Sequence, residues 1–151
     1  MGAIIGSPPA PQRPSGCLYL NNIQLNLVDS TPTLVLLETI PAEYTDGIEN
    51  VGTHRITPGK AGFYSIVGKI RLEQVVADKK YEALIKVSGV VIHQQYIHAS
   101  LADVIGVSCV IPCLYLTAAN YVELWAESFA GVNTVDISSA LDTFLAVQRV
   151  R

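Results

Sequence analysis

The chain has 151 residues, of which 50% are hydrophobic and 15% are charged, and its formal net charge is −3. This length suits one domain, and so apolar a composition is typical of a protein that buries further surface in an oligomer. The acidic balance argues against a general nucleic-acid binder, because such a protein needs basic charge to displace counterions.

Charge is unevenly distributed along the chain. Seven of the ten basic residues lie between Arg55 and Lys86, whereas residues 87–148 contain no lysine or arginine but five acidic residues. This split indicates either an uneven surface composition or a molecule that meets an acidic partner with one end.

Residues 1–16 are predicted to form an extended arm, because they contain four prolines and almost nothing that a core could use. Apolar residues near the tip of a soluble arm are unexpected unless they dock. The arm is therefore either a loose terminus or a tether that grips a neighbouring subunit or a shell. The tether would bind through Ile4, Ile5, Pro8, Pro9, Pro11, Arg13 and Pro14.

The domain is predicted to span residues 17–151 and to begin with strands. Residues 17–28 alternate between apolar and polar positions, with Ile23, Leu25 and Leu27 on one face, which predicts a half-buried strand. Residues 33–40 form a second apolar run, and the turn-forming residues of 41–53 predict a long loop.

The second half of the chain has the same character. Residues 62–73 alternate again, and residues 81–87 and 90–98 predict a hairpin around Ser88 and Gly89. Further strands are expected at residues 103–116, 120–129 and 141–150. About eight to ten strands without a convincing helix indicate an all-β sandwich or barrel.

The longest uncharged run, residues 104–122, is long enough for a transmembrane helix. It contains Pro112 and Asn120 and many β-branched residues, so we interpret it as two buried strands and expect no membrane insertion. Three cysteines imply no disulfide framework, and we expect them to be small buried residues; they are Cys17, Cys109 and Cys113.

Three short motifs carry a family resemblance. RITP at 55–58 precedes AGFY at 61–64, LTAANYVEL occupies 116–124, and TFL occupies 143–145 near the end. Their order and spacing resemble the tumour necrosis factor and complement globular-head superfamily. The resemblance implies a two-sheet antiparallel jelly roll that assembles as a tight trimer. Domains of this kind also occur in bacteriophage fibres, tail tips and capsid decoration proteins.

The alternation around Trp125 suggests how a trimer would form. If the aliphatic residues at 122, 124 and 126 face the core, the aromatic residues beside them need other cover, which a three-fold interface would supply. The alternative places Trp125 in the core. The predicted trimer interface consists of Tyr64, Tyr121, Glu123, Trp125 and Phe144.

The sequence offers little for catalysis. His93 and His98 would lie on opposite faces of a strand and neither pairs locally with a carboxylate, and no phosphate-binding glycine loop or nucleophile elbow occurs. Glu123 and Glu127 are interpreted as solvated or interface residues. We therefore expect a protein that is not an enzyme and has no cofactor and no metal.

Two functions follow as hypotheses. The first is a bacteriophage virion protein, a trimeric decoration protein that binds and stabilises the capsid shell through its arm. Its partners would be itself and the major capsid protein or an adjacent virion subunit. The second is the receptor- or carbohydrate-binding head of a fibre or tail tip, with loops 41–53 and 130–136 on the ligand. No signal peptide is recognised, so synthesis in the host cytoplasm and a place in the virion are expected.

Overall fold

The computed structural model describes residues 15–42, 47–139 and 142–150, which form two antiparallel β-sheets. The strands are β1 (Ser15–Tyr19), β2 (Thr33–Leu34), β3 (Glu49–Asn50), β4 (Arg55–Ile56), β5 (Gly62–Val75), β6 (Lys80–Val87), β7 (Val90–His98), β8 (Asp103–Leu116), β9 (Val122–Phe129), β10 (Asp136–Ile137) and β11 (Phe144–Arg149).

The strand order is that of a two-sheet sandwich in which the chain repeatedly crosses from one sheet to the other. Sheet A runs β1, β11, β5 and β8, with β10 pairing on the β11 side of β5. Sheet B runs β3, β4, β9, β6 and β7, and β2 also pairs with β9. Most hydrogen-bonded neighbours are distant in sequence. The predicted all-β, two-sheet antiparallel jelly roll is therefore confirmed.

The core lies between the sheets and follows the predicted alternation. Along β5 every second residue from Gly62 to Leu72 is buried, and along β9 every second residue from Val122 to Ser128 is buried. The two strands approach so closely at Gly68 that a Cβ there would lie 2.7 Å from Cδ1 of Leu124. A side chain at this position would therefore force the Leu124 side chain of the opposite sheet to move.

The predicted hairpin is confirmed at its turn. β6 and β7 are joined by Ser88 and Gly89, whose φ angles are 49° and 83°. Two successive residues with positive φ suit the right-handed twist of the flanking strands. The local signal was therefore sufficient to place both strands.

The arm boundary differs from the prediction. Ser15 and Gly16, assigned above to the arm, are the first residues of β1 and pair with Gln148 and Val147 of β11. A Cβ on Gly16 would lie 2.8 Å from Ile48, so this glycine belongs to the packed domain. The residues predicted to dock the arm lie outside the described part of the chain; they are Ile4, Ile5, Pro8, Pro9, Pro11, Arg13 and Pro14.

The long strand predicted at residues 17–28 is wrong beyond Tyr19. Ile23 and Leu25 are 48% and 64% exposed, and only Leu27 is buried. Beyond Tyr19 this segment is attached to both sheets only by isolated backbone hydrogen bonds; for example, Leu27 N donates to Val135 O at 2.8 Å. The alternation of apolar and polar residues therefore did not produce a strand here, because no continuous neighbouring strand is present to form a ladder of backbone hydrogen bonds.

The apolar run at 33–40 also forms less strand than expected. Only Thr33 and Leu34 are strand residues, although Val35 and Leu37 are buried. The prediction that all three cysteines are buried is wrong for Cys113, which is exposed. A register shift in β8 places Pro112 and Cys113 opposite Ser65, so Cys113 no longer shares the inward face of Cys109.

Candidate subunit interface

Two long strands end their sheets on the same side of the sandwich. Among the described strands, β7 pairs only with β6, and β8 pairs only with β5. β7 and β8 belong to different sheets but lie next to each other. Their outer edges thus present two rows of backbone donors and acceptors on one side of the molecule.

These strands carry an unusual amount of exposed apolar surface. Eight of the nine residues of β7 are exposed. From residue 87 to residue 122 the sequence contains one Asp, Glu, Lys or Arg, namely Asp103. Long, uncharged edge strands promote association unless they are covered. We call this surface the apolar edge; its exposed large hydrophobic residues are Val90, Val91, Ile92, Tyr96, Ile97, Val104, Val110 and Tyr115.

The apolar edge continues onto the outer face of sheet A, the face turned away from sheet B. Tyr115 is 55% exposed and its ring meets that of Phe63 edge to face, with centroids 5.4 Å apart. Val110, 53% exposed, lies opposite Val67 on the same face. Edge and face therefore form one contiguous surface that bends around β8.

The predicted interface residue Tyr64 lies in the core. Its side chain is 0% exposed, and its hydroxyl donates a 2.7 Å hydrogen bond to the carbonyl of Lys60. Burial raises the pKa of the Tyr64 phenol, and the charge of Arg149 opposes this effect. Because the ring is enclosed within one protomer, it has no surface to offer to a second. Tyr64 lies on the inward face of β5 and therefore cannot contact a second subunit.

Tyr121, Glu123 and Trp125 lie on the outer face of sheet B, as their alternation with the buried residues of β9 predicted. Their cover comes from the same protomer. The Nζ of Lys86 lies 3.4 Å from the centroid of the Trp125 ring, and Trp125 Nε1 donates to Glu123 Oε2 at 3.1 Å. The guanidinium of Arg55 lies 4.4 Å over the Tyr121 ring. These cation–π contacts cover the rings without a second subunit.

Phe144 lies half-buried on the outer face of sheet A, where its ring centroid is 5.8 Å from that of Tyr19. It therefore lies on the opposite side of the sandwich from Trp125. Surfaces on opposite sides of a protomer would favour an open chain of subunits rather than a closed ring. The structure does not bring the five predicted interface residues together.

A polar cluster lies beside the apolar edge on sheet A. Lys69 Nζ is 3.0 Å from Asp142 Oδ1, and Arg71 Nη1 is 3.5 Å from Asp142 Oδ2. The hydrogen bond and charge of Lys69, followed by Arg71, lower the pKa of the Asp142 carboxyl. A groove of about 260 Å³ runs past the cluster; it is lined by Lys69, Arg71, Val104, Ile105, Gly106 and Asp142.

A second polar group lies on the outer face of sheet B and was missed by sequence reasoning. Glu82 and Glu127 are directly opposite each other on β6 and β9. Lys80 Nζ lies 2.9 Å from Glu82 Oε1. Burial, and then the charge of Glu82, raise the pKa of the Glu127 carboxyl. The two glutamates are 45 residues apart in sequence, so only the register of β6 and β9 brings them together.

The described residues offer little chemistry. No group of three or more His, Cys, Asp or Glu side chains in this part of the chain could hold a metal ion. Burial raises the pKa of Cys109 to about 11, and its Sγ donates to the carbonyl of Ala83 at 3.0 Å. Such a thiol is inert at neutral pH. None of the described segments forms a helix able to cross a membrane.

Comparisons with known proteins support the fold. No model of a protein family matches the chain, and no curated protein does. Among solved structures, Eiger TNF from S. frugiperda is similar with a TM-score of 0.68 and 10% identity, over 92% of this chain and 93% of that chain. Murine APRIL at pH 5.0 is similar with a TM-score of 0.66 and 13% identity, over 92% of this chain and all (100%) of that chain.

These similarities establish a TNF-like jelly-roll fold. At such low identity they carry no conclusion about partners or activity. They do confirm the fold that the motifs at 55–64, 116–124 and 143–145 implied. In the structure these segments form the turn into β5, the turn into β9 and the start of β11.

Proposed function

We propose that this protein is a non-enzymatic structural module that assembles as a homotrimer and decorates a bacteriophage capsid. The observation that carries the proposal is the apolar edge. A protein that left this surface in water would aggregate through its free strand edges. Association with copies of itself covers the surface and accounts for the apolar composition.

The geometry of the surface favours a closed ring. In a three-fold assembly each subunit uses two different patches, because the contact is heterologous. The edge of β7 and β8 and the outer face of sheet A around Phe63 are two such patches. They adjoin each other at β8 rather than lying on opposite sides. The trimer that the family resemblance implied is consistent with this arrangement.

The proposed virion setting rests on the proline-rich arm. The arm joins the domain at Ser15, at the start of β1. A proline-rich tether with an apolar tip suits a protein that grips a shell while its compact domain stays outside. The proposed location is therefore the outer surface of the virion, and the proposed partner is the major capsid protein or an adjacent subunit.

Deletion of residues 1–14 tests this function. The deletion must stop there, because Ser15 and Gly16 belong to β1. We expect the truncated protein to keep its oligomeric mass but to lose co-sedimentation with shells assembled from the capsid protein of the same virus. A milder variant, I4D/I5D, should have the same effect. Undiminished co-sedimentation of both variants would contradict the proposal.

The alternative is a receptor- or carbohydrate-binding head that uses loops 41–53 and 130–136. Residues 47–53 lie near the start of β9, whereas residues 130–136 follow its end, so the two loops lie at opposite ends of the domain. A small ligand could contact only one of them on a given subunit. Glycan-array binding by the isolated domain, lost on changing a single loop, would favour this alternative.

A further inference from the structure

The end of the domain from which the arm leaves has a composition of its own. The connection 57–61 joins β4 to β5 at this end, beside the start of β1 and the end of β11. Ser15 is opposite Gln148, and Arg149 is the next residue of β11. We call this region the arm end. The first described residue, Ser15, lies at this end of the domain.

Three cations gather around the connection at the arm end. Arg55 comes just before it, Lys60 lies within it and is exposed, and Arg149 Nη2 donates to the carbonyl of Ala61 at 3.0 Å. The four ion pairs found among the described residues involve Lys69, Arg71 and Lys80 instead. Arg55, Lys60 and Arg149 thus have no carboxylate partner within the described part of the protomer.

The described carboxylates nearest to this end are engaged elsewhere. Glu49 is paired with Ile56 in register, and its Oε1 accepts the backbone N–H of Cys17 at 3.1 Å. Glu123 accepts the indole N–H of Trp125. Neither carboxylate forms an ion pair with any of the three cations.

The two arginines are also held in place. Arg55 is stacked on Tyr121 and Arg149 is fixed by its bond to Ala61. A guanidinium that is already ordered loses less freedom when a carboxylate binds it. The arm end therefore combines unpaired positive charge with pre-organised donors, as a site for carboxylates requires.

We propose that the arm end is a second contact surface, and that it binds an acidic protein surface. The proposal rests on the proposed function only for the statement that this end faces the shell. An acidic protein surface is favoured over nucleic acid because three cations can pair with a few carboxylates, whereas a nucleic-acid contact typically needs more basic groups to displace the counterions of the phosphate backbone. The arm supplies reach, and the cations supply orientation and a salt-dependent affinity.

Two matched lysine variants test the proposal. Lys60 and Lys79 are both exposed, but Lys79 lies in the turn between β5 and β6, at the opposite end of the domain. The probe is immobilised poly-L-glutamate at low salt, with the full-length protein in solution. We expect K60E to weaken binding about fivefold and K79E to have little effect. The double variant R55E/K60E should lose binding, after its oligomeric mass and melting temperature are shown to be unchanged.

Three results would overturn the proposal. One is equal binding of K60E and K79E to poly-L-glutamate, and another is wild-type binding that raising the salt from 50 to 200 mM leaves unchanged. The third is tighter binding to duplex DNA than to poly-L-glutamate, with K60E weakening the DNA complex, because the partner would then be a nucleic acid. Loss of shell binding on arm deletion, with K60E binding both probe and shell normally, would leave the decoration function standing without this surface.

Discussion

The apolar edge and the outer face of sheet B both carry large side chains on strands, but they differ in how these side chains are covered. On sheet B the rings of Trp125 and Phe129 lie under Lys86 and Lys80, with Nζ atoms 3.4 Å and 3.9 Å from the ring centroids. On the apolar edge Val110 and Tyr115 are 53% and 55% exposed, and none of the cation–π contacts found among the described residues involves the Tyr115 ring. The comparison shows that aromatic residues on a strand do not by themselves mark an interface. An interface is marked instead by apolar surface that the protomer itself leaves uncovered.

The largest expected effect comes from charging the edge. V110D should reduce self-association at least about 100-fold, because assembly would bury an unpaired carboxylate. The monomer should tolerate the change, since Val110 is 53% exposed. Sedimentation velocity at micromolar concentration measures the result. V132D is the matched control, because Val132 is 40% exposed but lies in the loop after β9. Loss of assembly by both variants, or by neither, would contradict the assignment.

Removing a cation from the covered face should have a smaller effect, on stability only. K86A is expected to lower the free energy of unfolding by about 0.5–1 kcal/mol, because the Trp125 ring loses its cation–π contact. Urea denaturation measures the change, and the oligomeric mass should stay as in the wild type. A change of mass in K86A would show that Trp125 does belong to an interface.

The fluorescence of Trp125 separates the two regions without a mutation. It is the only tryptophan of the chain, and it lies on the covered face. Dilution through the range in which subunits separate should therefore leave the emission maximum unchanged while the mass falls. A red shift that follows dissociation would place Trp125 at the interface, where the residue alternation around it predicts it to lie.

The smallest expected effect concerns Glu127. Folding raises the pKa of the Glu127 carboxyl, so this group binds its proton more tightly in the folded state than in the unfolded state. The wild type therefore loses stability as pH rises from the unfolded pKa through the folded pKa, because the carboxyl must then ionise in its partly buried position. E127Q removes this cost, so the variant should be more stable than the wild type near pH 7, by less than about 1 kcal/mol. The advantage should vanish near pH 4. Thermal melting at both pH values measures it, and an equal difference at the two pH values would contradict this explanation.

Local patterns predicted more of the fold than of the surface. Alternation placed β5 and β9 on the correct faces, and the Ser88–Gly89 turn placed the hairpin, since each signal lies within a few residues. Which strands end the sheets depends on pairing between distant segments, and no local pattern records it. The interface residues chosen from sequence were therefore scattered over the core and two opposite faces, and the bulge at Pro112 reversed the face expected for Cys113.

The mass of the wild-type protein in solution tests the central claim most directly. One chain has a mass of 16.3 kDa. If the apolar edge is covered by copies of the same chain, sedimentation equilibrium at micromolar concentration should give about three times that value, with no larger aggregate. A stable species with the mass of one chain at the same concentration would contradict the account, because the edges of β7 and β8 would then remain open to water.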